Sequence, residues 1–339
     1  MKISRFAKAT SLFAVSALAL SLTACSASPA PSESKPASTD GIDVYVIGGM
    51  PSDPFWGVVK SGAEAAANAV EAAGGTVTWL GPQNYDNLGP DAGKLVDSAI
   101  SAGAEAIVVA DWVPDAENEA IKRAVAAGIP VIHYNAGGIE QADATGALTY
   151  IGADDYVAGV AGGEAAAQAG AKHILCVNTV PGSANQEARC AGVADGAAKH
   201  GATGEQLPLP SSNFGNPTAV ANAIKAALTK DSTIDGVVTI GVQDADSAAS
   251  AIEQAGLTGK VQLGTFDLSE TQLNRIKDGS QLFAIDQQPW LQGYLAVSAA
   301  WQYAQYGILP ASRPVLTGPS LVTKSNVDVV IAGVAAGVR

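Results

Sequence analysis

The chain has 339 residues, 47% of them hydrophobic, and its 32 acidic side chains outnumber 19 basic ones for a net charge of −13. A protein this acidic does not look like a nucleic-acid binder. Its length past the N-terminal stretch, about 300 residues, exceeds what one simple core encloses and suits two domains.

Residues 1–24 read as a secretory signal peptide. Lys2, Arg5 and Lys8 form a basic start, an uncharged and mostly apolar run extends from Ala9 to Leu22, and small residues precede Cys25. That run is shorter than the ~20 residues a membrane span requires, which argues against an uncleaved anchor. Leu22-Thr23-Ala24-Cys25 resembles the bacterial lipoprotein processing box, and the resemblance implies that Cys25 is lipidated and heads the mature chain. Residues 25–40 are Ser-, Pro- and Ala-rich with only three charges. They are too poor in apolar groups to pack and read as a flexible tether, at most about 50 Å when extended.

From Ile42 onward, short Val- and Ile-rich runs alternate with Ala-rich helical stretches. The expected strands are Ile42–Gly48, Thr76–Leu80, Ala106–Ala110, Pro130–Tyr134, Leu148–Ile151, His173–Val177, Gly236–Ile240, Val261–Phe266 and Gln281–Ile285. Helices are expected at Pro54–Ala73, Leu88–Ala102, Asp115–Ala127, Asp154–Ala169 and Asn185–His200, among others. Apolar strands alternating with helices predict parallel sheets covered on both faces. Two such blocks meet near residue 152, so the expected fold is α/β: two doubly wound parallel-sheet domains. In such sheets ligands sit beyond the carboxyl ends of the strands.

Those ends hold the candidate ligand-binding residues. After the first strand come Asp53, Phe55 and Trp56, where Asp53 could equally serve only to cap the helix that Pro54 begins. The third strand ends in Asp111 and Trp112, the fourth in Asn135. In the second block Asn185 and Arg189 lie four apart, on one face near a helix start. Phe214 follows a proline-rich strand, Asp267 follows Phe266, and Gln287 follows the strand ending at Ile285. Aromatic residues make up 6% of the chain, yet Trp56, Trp112 and Trp290, three of five tryptophans, lie at these ends. Flat rings suit the C–H faces of a sugar; core filling is the alternative for each. Asp accepts, Arg donates, and Asn and Gln do both, so the set can satisfy every hydroxyl of a small polyol.

Two further cysteines, Cys176 and Cys190, are an even number in an oxidising compartment and can form a disulfide, or remain two buried thiols. Neither G-x-S-x-G, H-E-x-x-H, a phosphate loop nor clustered metal ligands occur, and His133, His173 and His200 are scattered. Gly48-Gly49 lacks the later glycines of a dinucleotide fingerprint. No enzyme, cofactor or metal is expected.

Asp53-Pro54-Phe55-Trp56, the run from Ala127 to Ile132, and Phe266-Asp267 ahead of Gln287 together resemble periplasmic sugar-binding proteins of the ribose and galactose type, over nearly the whole mature chain. The resemblance implies that Asp53, Asn135, Asn185, Arg189, Asp267 and Gln287 bind sugar hydroxyls while Phe55 and Phe214 stack on the ring. Asn135-Ala136 departs from the usual Asp-Arg of ribose-type members. The asparagine expected near Gly241 is absent, with Gln243 as its stand-in, and no oxygen-rich calcium loop is evident. The resemblance also implies three hinge crossings, near Ala153, Asp286 and Leu316. Residues 41–152 with 287–316 would form one lobe, and 153–286 with 317–339 the other. A monomer would close on a small neutral sugar or sugar alcohol and dock on an ABC permease driven by its ATPase, with the lipid anchor as its only membrane contact. A sensory protein that binds a polyol or signal molecule without transport is the alternative.

Overall fold

The computed structural model describes residues 41–339. The signal-like segment, Cys25 and the whole tether lie outside the described residues.

The first lobe alternates β1 (Asp43–Ile47), α1 (Pro54–Ala72), β2 (Thr76–Leu80), α2 (Leu88–Ser101), β3 (Ala106–Val109), α3 (Pro114–Ala126), β4 (Val131–Tyr134), α4 (Gly138–Thr145) and β5 (Tyr150–Ala153). The second runs through α5 (Asp155–Gln168), β6 (His173–Asn178), α6 (Ala184–Ala198), β7 (Thr203–Pro208), α7 (Pro217–Lys230), β8 (Gly236–Thr239), α8 (Val242–Gln254), β9 (Gln262–Phe266), α9 (Glu270–Asp278) and β10 (Phe283–Asp286). The chain then returns to the first lobe for α10 (Pro289–Tyr306) and β11 (Val315–Gly318), and to the second for β12 (Ser320–Thr323) and α11 (Val327–Ala335).

The sheet orders are β11-β5-β4-β3-β1-β2 and β12-β10-β9-β8-β6-β7. All pairings are parallel except β10 with β12. The strands β3, β4, β5 and β8 are buried at every residue, which is why they read as mostly apolar runs; the edge strands β2 and β7 are largely exposed or half-buried. In each sheet the strand order reverses once, between β1 and β3 and between β6 and β8, and helices that follow strands on opposite sides of such a point diverge to leave a crevice.

Close helix packing carries both lobes. A Cβ on Gly62 of α1 would stand 1.9 Å from the carbonyl oxygen of Trp290, and one on Gly293 of α10 would stand 2.0 Å from that of Val59. Only hydrogen fits at either position. Trp290, expected at a strand mouth, is therefore held on the α1–α10 contact, where its ring stacks on Tyr294 at 5.0 Å. The Cys176 and Cys190 sulfurs are joined, tying β6 to α6 across 5.5 Å between Cα atoms.

The fifth strand starts two residues later than expected, at Tyr150, and β10 likewise at Phe283. The pair β11 and β12 was not anticipated: each has four residues, one of them buried, and prolines at 314 and 319 interrupt any apolar run. Its position puts the third passage between the lobes at Pro319, just beyond the expected Leu316.

Candidate functional site

The loops at the carboxyl ends of both sheets face one another across a single cleft, with about 660 Å³ of atom-free space when solvent at its mouth is counted. The first lobe contributes Asp53, Phe55, Trp56, Trp112 and Asn135; the second contributes Asn185, Arg189, Phe214, Gln243 and Asp267; Gln287 stands where the chain crosses back.

Asp53 caps α1: Oδ1 accepts the Phe55 N–H at 3.0 Å, and Oδ2 accepts the Tyr85 hydroxyl at 3.2 Å. The cap reading and the site reading are thus compatible, because capping occupies only one oxygen. Trp56 is the hub of an aromatic wall, in edge contact with Phe55 (5.4 Å), Trp112 (5.5 Å), Tyr134 (5.8 Å) and Trp79 (6.2 Å). Gly49 makes room for it, since a Cβ there would meet the Trp56 ring at 2.2 Å.

Asn135 and Asp267 occupy equivalent places after β4 and β9, and both have left-handed backbones, with φ of 60° and 68°. Asn and Asp are the side chains that tolerate this region best. The strained turn aims each side chain into the cleft rather than along its strand.

In the second lobe Arg189 donates from Nε to Asp155 Oδ1 (2.8 Å) and from an η nitrogen to Gln287 Oε1 (2.6 Å), and its guanidinium lies 4.6 Å over the Phe266 ring. Gln287 passes its own amide to Asp267 Oδ1 at 2.5 Å, so it positions the arginine and the acid at once. Asn185 Oδ1 accepts from the Ser183 hydroxyl and the Gln186 N–H.

Burial dominates the electrostatics. It pushes the Asp53 carboxyl up to about 6 against the pull of its Phe55, Tyr85 and Trp56 donors. Asp267 rises to about 7, chiefly by burial and partly offset by Arg189 and Gln287. Asp155 rises to about 6 for the same first reason, with Arg189 opposing.

Asp111 is not part of this wall. It is fully buried and neither of its oxygens has a hydrogen-bond partner among the described residues; the nearest cation-capable group is His133 Nδ1, 3.9 Å away. Neighbouring residues of an extended segment point to opposite sides, so Trp112 reaches the cleft and Asp111 the interior. The candidate assignment of Asp111 to the ligand is corrected accordingly.

Tyr85, Thr179, Ser183, Gln186 and Asp244 also line the cleft and were missed. Tyr85 lies between β2 and α2 and holds Asp53. Asp244 sits in the first turn of α8, buried, with Thr179 donating to its Oδ2 at 3.0 Å. Burial lifts its carboxyl to about 7, and the approach of Asp53 from the other lobe adds to the rise.

The lobes touch across the mouth. The Ala184 N–H donates to the Trp112 carbonyl at 2.7 Å, and the Tyr85 and Phe214 rings meet at 4.7 Å.

A sequence model of the periplasmic binding protein domain matches residues 44–308. The chain belongs to the periplasmic binding protein family. It is 25% identical over 304 residues to the xylose/arabinose-binding protein XylF of Sulfolobus acidocaldarius, covering 84% of this chain and 72% of that one. A solved carbohydrate transporter from Acidothermus cellulolyticus 11B, in complex with myo-inositol, is 35% identical with a TM-score of 0.78, covering 88% of this chain and 99% of that one. An ABC transporter solute-binding protein from Agrobacterium vitis, bound with alpha-D-tagatopyranose, is 25% identical with a TM-score of 0.72 and covers 88% and 99%. As a periplasmic binding protein of the ABC-transporter type, the chain works outside the cytoplasm, and it binds its substrate rather than transforming it. The expected two-lobed α/β fold and the resemblance to ribose- and galactose-type proteins agree with these matches.

Proposed function

We propose that this periplasmic binding protein captures a neutral ring polyol of about the size of myo-inositol and delivers it, by closure of the two lobes, to an ABC permease and its ATPase. The observation that carries the reading is the single cleft in which acids, amides, one arginine and aromatic rings from both lobes converge. Aromatic faces take the apolar side of a ring while carboxylates and amides take its hydroxyls. A 35% identical relative that was solved with myo-inositol supports a cyclitol as the first ligand to try.

Closure uses the three crossings, at Ala153–Asp155, Asp286–Gln287 and Gly318–Ser320. Arg189 bonds residues at the first two, so a ligand held by Arg189 and Asp267 is coupled directly to the hinge. Cys25 is the proposed lipid anchor, and the closed monomer is the form offered to the permease.

The test is a thermal-shift screen of the purified protein against myo-inositol, pentoses, hexoses and alditols. Ligand at 100 times its Kd stabilises by about 2.7 kcal/mol, so a true ligand raises Tm in proportion to the logarithm of its concentration. A panel in which no polyol raises Tm would reject the reading.

A further inference from the structure

We propose that the cleft contains an ammonium subsite, bounded by Asp53, Asp244 and Asp267 around Gly241, and that it takes an amine-bearing polyol such as an aminocyclitol or amino sugar. The proposal rests on the polyol reading above and changes one part of it: the guest carries a charged amine in place of one hydroxyl.

Charge balance is the first argument. Three carboxylates line the cleft, and Arg189 is the one cationic side chain among the described residues that do so. That guanidinium is already engaged by Asp155 and Gln287. Among the described residues no donor bonds Asp244 Oδ1 or Asp267 Oδ2, although the other oxygen of each is bonded, by Thr179 and by Gln287. The guest must therefore bring the missing donors, and a cation brings the strongest ones.

Gly241 is the second argument. Its backbone is extended, with φ of −155° and ψ of 164°, so no left-handed turn demands glycine there. Crowding does not demand it either. A Cβ at 241 would meet nothing nearer than Asp244 Oδ2 and Asp267 Oδ2, each at 3.9 Å. Most other glycines with ordinary φ are explained by atoms within about 3 Å, as at Gly49 and Gly62. At 241 the missing side chain leaves a gap shared by two carboxylates, and Asp53 lines the same cleft from the opposite lobe, close enough to raise both carboxyls. An amide here would supply donors from the protein. Glycine leaves them to the ligand.

A cation between three acids gains from each of them in a partly desolvated cleft, whereas a sugar acid or phosphate would meet three carboxylates against one guanidinium that Asp155 and Gln287 already engage. The chain's net charge of −13 also favours approach of cations at low salt.

The experiment is isothermal titration calorimetry at pH 7 and low salt. The probes are myo-inositol, 1-amino-1-deoxy-scyllo-inositol, D-glucose, D-glucosamine and D-glucuronate. The amine of at least one amine/neutral pair should bind tenfold or more tighter, with the preference shrinking as salt is added, and glucuronate should be rejected. In Gly241→Asn and in Asp244→Asn, each checked for an unchanged circular dichroism spectrum, the amine-to-neutral affinity ratio should fall toward one. A neutral polyol that binds as tightly as its amine, or a ratio unchanged in both variants, would overturn the subsite while leaving the polyol reading intact. Failure of every neutral and aminated polyol to bind would overturn both.

Discussion

Asp111 gives the sharpest stability prediction, because it is an acid buried with no partner. It is 0% exposed, both oxygens lack hydrogen bonds, and burial pushes its carboxyl from 3.8 up to about 7. Its neighbours do not rescue it. His133 is held neutral by burial, its pKa driven down to about 3, and Glu117 spends one oxygen on the Val113 N–H at 2.7 Å and opposes a second charge. Below pH 4 Asp111 is protonated in the folded and unfolded chains alike and contributes no difference. Between about pH 4 and pH 7 the unfolded chain ionises while the folded chain keeps its proton, so stability falls as pH rises. Above pH 7 the loss is complete at about 4 kcal/mol, an upper bound because water can enter and relax the site. Asp111→Asn removes the ionisation. It should match the parent at pH 4 and exceed it by about 2–4 kcal/mol at pH 8 in urea denaturation followed by tryptophan fluorescence. Parallel pH profiles for the two proteins, or a variant less stable at pH 8, would refute the argument.

Other outcomes follow from the same geometry. Asp267→Ala should weaken binding of the polyol found in the screen by about 2 kcal/mol or more, roughly 30-fold by calorimetry, because a buried charged acceptor is lost; unchanged affinity would remove Asp267 from the site. Polyol affinity should fall as pH drops through 7 to 6, since Asp53, Asp244 and Asp267 then take up protons and cease to be full acceptors; a flat profile from pH 5 to 8 would contradict their role. Replacing Cys176 and Cys190 by serine opens a loop of about 15 residues and should cost about 3 kcal/mol in chemical denaturation. Cys25→Ser should move the protein from the membrane fraction to the soluble one; retention in the membrane would remove the proposed anchor.

Much of the fold was legible because its strands are buried on both faces. Runs such as Ala106–Val109 and Val131–Tyr134 can be nothing else at that length, and the helices between them carry clear glycine stops. β11 and β12 escaped because each has four residues with one buried and Pro319 parts them, which leaves no apolar signature; their identity comes from partners far away in sequence. The site was legible where a residue stands directly after a strand, as Asn135, Asp267 and Gln287 do. It was illegible where the position depends on tertiary approach. Tyr85 enters only because the β2–α2 loop folds over Asp53, and Asp244 only because the first turn of α8 faces inward. The one signal near Asp244 was the glycine three residues before it, where the family resemblance implies an asparagine. Asp111 and Trp112 show the opposite error: adjacency at a strand end does not put both side chains on the ligand's side.

The decisive measurement is a crystal structure of the protein grown with the tightest-binding polyol from the screen. One guest molecule should lie within hydrogen-bond distance of Asp53 from the first lobe and Asp267 from the second, its ring against Phe55 or Phe214. Density for the guest on a single lobe, or outside the cleft altogether, would contradict capture between the two.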